Sequence, residues 1–312
     1  MNLDDFRALI DAALSKALPQ KTAPPLIVEA MRYALLAGGK RLRPCLVLAA
    51  AEAVASRDRQ DAGAAVQRAV PAACAIELIH TYSLVHDDLP AMDDDTLRRG
   101  RPTAHVVYGD GIAILAGDGL LTEAFALLAE SPSRVASADD PEPSPDSRLR
   151  IIRILATAAG AAGMVGGQTI DLAAEGRVPA ASRVRLDATS LKDLHARKTG
   201  ALIRAAATMG ATAADADAAT TARVDEYAQQ LGLAFQIVDD VLDVEGSDAE
   251  LGKTAGKDAA AGKPTYPALY GLDASKTMAR DCLGRAETAL ARVKLADSRL
   301  LSIGRWIVER SN

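Results

Sequence analysis

Apolar residues return at helical spacing along most of the chain, in segments near 2–18, 25–37, 42–56, 62–89, 110–130, 147–174, 186–209, 216–246, 274–294 and 297–310. Breakers fall between them: Pro24-Pro25, Gly38-Gly39, Gly100 to Pro102, Gly109 to Gly111, Gly176 to Pro179 and Gly262 to Pro267. This pattern predicts an all-α protein, a single-domain bundle of about ten or more helices around a central cavity, spanning residues 1–312. Ser131 to Ser147, rich in Ser, Asp and Pro, offers little apolar surface to bury and is expected to form an exposed loop near 131–147 inside that domain.

Two long helical patterns end in carboxylates: Asp87, Asp88, Asp93, Asp94 and Asp95 after the first, and Asp239, Asp240 and Asp243 after the second. Like charges packed this tightly repel, and acid at a helix C-terminus opposes the macrodipole, so divalent cations are the expected partners, with hard oxygen ligands suiting Mg²⁺. Asp239 and Asp243 are four residues apart and differ by only about 40° around a helix, whereas Asp240 points elsewhere. Asp87 and Asp93 would lie on different faces of an unbroken helix, but Pro90 stops the helix and lets the chain curl back. Two such helices facing across a bundle would bring both clusters to one end of the cavity.

Basic residues stand beside the Gly and Pro turns: Lys40, Arg41 and Arg43, then Arg98, Arg99 and Arg101, and further on Lys198, Lys253, Lys257 and Lys263. Short fixed loops carrying forked Arg and point-charge Lys suit phosphate oxygens, so the expected ligand is a diphosphate. His80 lies two turns before Asp87 on the same face and is placed to hydrogen-bond phosphate, while His86, His105 and His195 read as structural. Neither a Ser or Cys nucleophile with a positioned His-acid pair nor a GxxxxGK[ST] loop occurs, which leaves metal-assisted departure of a leaving group.

Composition narrows the classes further. Hydrophobic residues reach 49% with only 3% aromatic, which favours Ala- and Leu-rich helices over strands. A net charge of −5 gives no general attraction to nucleic acid, so phosphate binding must be local. Cys45, Cys74 and Cys282 are widely spaced in apolar context and read as small buried hydrophobes. The glycine-rich stretch 154–170 reads as a packed internal helix, so no stable membrane insertion is expected, and the acidic start implies a cytoplasmic protein.

At these residues the chain resembles the trans-isoprenyl diphosphate synthases, and among them the bacterial farnesyl producers. The resemblance rests on Gly38 to Pro44, Leu84 to Thr103, Met164 to Gly176, Leu194 to Ile203, Leu233 to Gly246 and Leu251 to Pro267. It implies an isoprenoid synthase-like fold, homodimerisation, and head-to-tail condensation of isopentenyl diphosphate with dimethylallyl or geranyl diphosphate. By position, Asp87, Asp88, Asp93, Asp239, Asp240 and Asp243 would hold about three Mg²⁺, with Mn²⁺ able to substitute. Arg98, Lys198, Lys253 and Lys263 would grip the allylic diphosphate, with Thr199 and Gln236 at the reacting end. Lys40, Arg43, His80 and Arg99 would bind isopentenyl diphosphate. Departure of the diphosphate would leave an allylic carbocation that the isopentenyl double bond attacks.

Chain length is expected to depend on Tyr82, more than one turn deeper than Asp87, with Pro90-Ala91 as the family's marker of a farnesyl producer; the small neighbour Ser83 keeps geranylgeranyl diphosphate as an alternative. Three other readings fit less of the chain. An HD-type phosphohydrolase leaves the second aspartate cluster unexplained and needs more than the four histidines present. A non-catalytic regulatory subunit would lose an aspartate motif. A terpene cyclase has no use for a second diphosphate pocket.

Overall fold

The computed structural model describes residues 3–19, 23–137, 139–245 and 264–310. Among the described residues the regular secondary structure is helical apart from one two-stranded hairpin, and the chain divides into two compact units: residues 1–153 with 209–216, and residues 154–208 with 217–312.

In the first unit α1 (Leu3–Leu14), α2 (Pro25–Leu35), α3 (Leu42–Arg57), α5 (Ala104–Tyr108) and α6 (Asp110–Ala129) assemble with α4 (Ala62–Asp87). Helices α3 and α6 pack along α4, with α1 against α3 and α4 and α2 against α6. The Asp61 side chain starts α4 by accepting the Ala64 N–H at 3.0 Å. Its apolar residues surround the axis, with Val66, Val70, Ile76, Leu78 and Ile79 all buried, as a central helix requires. The segment 209–216 is fastened here by Asp215, which takes Arg68 at 3.3 Å and the Ser147 hydroxyl at 2.9 Å.

In the second unit α11 (Ala218–Glu245) is the long element, packed by α13 (Leu272–Ala291) and α14 (Arg299–Glu309). Tyr227 of α11 is fully buried and donates its hydroxyl to the Leu300 carbonyl. Against α11 also lie α9 (Ala188–His195) and a π-helical turn, Ala196–Gly200, that leads into α10 (Ala201–Ala213). Asp187 and Ser190 form a reciprocal capping box at the start of α9. Thr265 caps the short α12 (Tyr266–Tyr270).

Three features differ from the periodicity. The stretch 147–174 is two helices, α7 (Pro145–Ala159) and α8 (Met164–Ala174), because Gly160 and Gly163 break it; a Cβ at Gly163 would strike the Ala158 carbonyl. Segment 186–209 is interrupted by the π turn, and α5 and α12, five residues each, are too short to show a period. The 131–147 segment buries Val135 and is held by polar anchors: Glu142 takes the Ser131 hydroxyl (2.5 Å), the Ser133 N–H (2.9 Å) and Arg148 (3.0 Å). By length and composition Ala62–Asp87, Asp110–Ala129 and Pro145–Ala174 are apolar enough to cross a membrane; in α4, 72% of the most apolar window is buried within the protein.

Candidate active site

Helix α4 ends at the first aspartate motif. Pro90 lacks the N–H a further turn would need, and the chain folds back: Met92 N–H and Asp94 N–H both reach the Leu89 carbonyl, and Asp93 N–H reaches the Asp87 carbonyl at 2.8 Å. The curl expected from Pro90 is therefore present, and it brings Asp93 beside Asp87. Asp88 is 4% exposed and is gripped by Arg98, whose Nε lies 2.8 and 2.9 Å from the two carboxylate oxygens and whose Nη2 lies 2.6 Å from Oδ1. Burial pushes the Asp88 carboxyl above its usual range, and the Arg98 hydrogen bond and charge pull against that.

Arg98 stands on a hairpin in which Leu97–Arg98 (β1) pairs with Arg101–Pro102 (β2). Its two-residue turn, Arg99-Gly100, has positive φ at both positions, 53° and 73°, the geometry that matches the twist of a tight hairpin. Arg99 then lies over the loop before α3, donating to the Gly38 carbonyl and filling the space a Cβ on Gly39 would need. Gly39 is thus required both for its φ of 129° and for this close approach.

His80, Arg98 and Arg99 line one pocket together with Tyr33, Glu77 and Asp88. The His80 imidazole is held well below its ordinary pKa, first by burial and then by the charges of Arg43, Arg99, Arg98 and Arg41, so at neutral pH it is uncharged. Lys40 is exposed and Arg43 half-buried on either side of the loop's end, outside the pocket lining. Arg41, counted from the sequence among the phosphate-binding cations, is 5% exposed and turned into the protein.

Tyr82 is buried in α4 and meets His86 edge to face at 5.8 Å. Ser83 bonds back to the His80 carbonyl at 2.9 Å. The His86 ring lies 3.0 Å from the Ile114 carbonyl, against Gly117 of α6, which agrees with its structural reading.

The second motif lies on α11 of the other unit. Asp240 and Asp243 are buried and Asp239 is half-buried. Asp240 accepts the Gln236 amide at 3.0 Å and the Tyr266 N–H at 2.9 Å, and Asp239 is bound by Arg310. Arg310 also stacks on the Phe235 ring, 4.3 Å from its centroid. Lys198 and Thr199 are presented by the π turn, a local widening that often occurs at functional sites. Gly167 of α8 and Gly232 of α11 press on this turn: a Cβ on the first would overlap the Lys198 backbone, and one on the second would lie 3.0 Å from the Gly200 Cα. The Lys198 ammonium is 2.5 Å from Asp171, and the Thr199 hydroxyl makes a long 3.5 Å contact with Gln236.

Sequence reasoning gave no role to Asp171, Arg310 or Glu77. For Asp171 a signal existed: it is a lone carboxylate in the apolar, glycine-rich run Met164–Ala174. Arg310, near the chain end, had none. Lys253, Lys257 and Lys263 lie outside the described residues.

Among the described residues no three His, Cys, Asp or Glu side chains stand close enough to cage an ion by themselves. The donors are all carboxylate oxygens, few at each motif, which fits a hard cation that also takes phosphate and water ligands, as Mg²⁺ does.

Residues 24–298 match the family described as polyprenyl synthetase. The farnesyl diphosphate synthase of Escherichia coli is 47% identical, covering 98% of this chain and 99% of that protein. A geranylgeranyl diphosphate synthase of Cyanophora paradoxa is 40% identical over 99% of this chain and 96% of its own. Among solved structures, an apo FPP/GFPP synthase from Zymomonas mobilis superposes with a TM-score of 0.79 at 38% identity, covering 98% of this chain and 97% of that one. With the family matched over most of its length, and the fold and sequence shared with its members, this chain belongs to the polyprenyl synthetases.

Proposed function

We propose that the chain is a Mg²⁺-dependent farnesyl diphosphate synthase that condenses isopentenyl diphosphate with dimethylallyl or geranyl diphosphate. The observation that carries this reading is the neighbourhood of Asp88, Arg98, Arg99 and His80: a carboxylate motif for a metal-bound diphosphate adjoins a cationic pocket that needs no metal, as a reaction of two diphosphates requires. The names of the relatives above support the product class.

Asp87, Asp88, Asp93, Asp239, Asp240 and Asp243 would hold the metal, about three ions. Bound Mg²⁺ supplies neutralisation of charge on the departing diphosphate. Arg98 and Lys198 bind that diphosphate, together with Lys253 and Lys263, and favour it more as charge builds on it. Thr199 and Gln236 line the reacting end. Lys40, Arg43, Arg99 and neutral His80 hold isopentenyl diphosphate, His80 by donating one N–H. No side-chain base is assigned; the proton goes to the leaving diphosphate.

Tyr82, buried one turn behind Asp87, favours a farnesyl product, and the small Ser83 beside it supports geranylgeranyl diphosphate as the second reading. We place the enzyme in the cytoplasm as a homodimer, the latter supported by the exposed apolar residues Val106, Val107, Ile114 and Leu115 on α5 and α6. Chromatography of products from purified protein, radiolabelled isopentenyl diphosphate and each allylic starter tests the reading. A C15 product supports it, C20 selects the alternative, and no consumption of isopentenyl diphosphate rejects both.

A further inference from the structure

We propose that Arg41 is a positioning residue for isopentenyl diphosphate: it touches no ligand and fixes the loop that presents Lys40 and Arg43. Its guanidinium bonds in three directions, to Glu77 on α4 at 2.7 Å, to Asp11 on α1 at 3.0 Å and to the Leu35 carbonyl at the end of α2 at 3.0 Å. Arg41 and Glu77 side chains are 3% and 4% exposed, so this is an interior ion pair tying three helices to one loop position.

The loop needs such a tie. Gly38 and Gly39 both have positive φ, and two adjacent glycines leave the free chain many alternatives. Arg41 itself is held at φ 48° and ψ 36°, a left-handed conformation a non-glycine residue keeps only when its surroundings impose it. Immediately after it the helix begins, the Cys45 N–H donating to the Arg41 carbonyl at 3.1 Å. One anchored residue therefore sets both the exposed Lys40 before it and Arg43 in the first turn of α3. Glu77 lies one turn before His80 on α4, so the same ion pair fixes the loop relative to the imidazole.

The inference rests on the proposed use of isopentenyl diphosphate. Removing one member of a buried pair leaves a bare charge, so the informative variants are Arg41→Lys and the doubly neutral Arg41→Met/Glu77→Gln, with folding checked by circular dichroism and thermal unfolding. In both, KM for isopentenyl diphosphate should rise tenfold or more, while KM for geranyl diphosphate stays within twofold and kcat within threefold. Lysine keeps the charge, but its donors share one nitrogen and cannot span Glu77, Asp11 and the Leu35 carbonyl as the three guanidinium nitrogens do, so parental KM in Arg41→Lys would overturn the proposal. A parallel fall in kcat and rise of both KM values in the folded double variant would overturn it too. If neither variant folds, Asp11→Asn, which weakens only the partly exposed contact, should raise KM for isopentenyl diphosphate two- to fivefold, and no change there refutes the idea. Should the parent fail to consume isopentenyl diphosphate, the functional reading falls, and pyrophosphate titrated calorimetrically in EDTA reads the loop alone. Binding weakened tenfold in the Arg41 variants sustains the positioning role; equal binding, or none even in the parent, removes it.

Discussion

Tyr82 and His80 share α4, and different tasks are proposed for them. The Tyr82 ring is packed against His86, one turn behind Asp87, where a growing apolar chain would meet it. With Tyr82→Ala the products should shift from C15 to C20 and longer on thin-layer chromatography; an unchanged product would exclude the ring as a stop. His80 carries a pH consequence. Its pKa in the folded protein is well below 6.5, because burial and the surrounding Arg43, Arg99, Arg98 and Arg41 all disfavour imidazolium. The unfolded chain then binds the extra proton, so this contribution to stability is complete above about pH 6.5 and is lost as pH falls toward the folded pKa. Thermal unfolding from pH 7.5 to 5 should therefore show a smaller drop in Tm for His80→Gln than for the parent. Equal slopes would mean that the ring charges as easily inside as outside.

At the scale of elements, the π turn Ala196–Gly200 depends on what presses against it. A methyl group at Gly167 would overlap the Lys198 backbone, and the turn must shift to admit it. Gly167→Ala should lose at least tenfold in kcat/KM for the allylic substrate and about 1–3 kcal/mol of stability, read by steady-state kinetics and urea unfolding. Parental kinetics would show that the turn tolerates displacement. This close approach was invisible in the sequence, where Gly167 is one of several glycines in an apolar run. The helices themselves were legible because burial imposes a 3.6-residue period, and the curl after α4 was legible because proline's missing N–H acts locally. The breaks at Gly160 and Gly163 and the short α5 and α12 were not, since periodicity averages over longer windows. The carboxylates proposed for the site could be picked out from their clustering against apolar surroundings. The inward turn of Arg41 and the partners Asp171 and Glu77 could not, because contacts 27 and 36 residues apart leave no local trace.

For the molecule as a whole, the exposed apolar residues of α5 and α6 bear on assembly: Val106, Val107, Ile114 and Leu115 are each more than two-fifths exposed. Light scattering should give twice the mass of one chain, and Leu115→Glu with Ile114→Glu should return it toward one; a monomeric parent would refute the dimer. A second property concerns how charge is stored at rest. Arg98, Lys198 and Arg310 are already matched internally by Asp88, Asp171 and Asp239. An arriving anion must therefore displace a built-in counterion, and whatever draws that carboxylate away makes the cation available. Binding by exchange is reciprocal, so two ligands that relieve opposite halves of one pair assist each other and hold weakly alone. Asp171→Asn uncouples one such exchange: pyrophosphate should bind severalfold more tightly without any metal, as calorimetry in EDTA would read, and unchanged affinity would mean that the lysine was never guarded. An enzyme built this way stays quiet toward stray phosphates until its full set of ligands arrives.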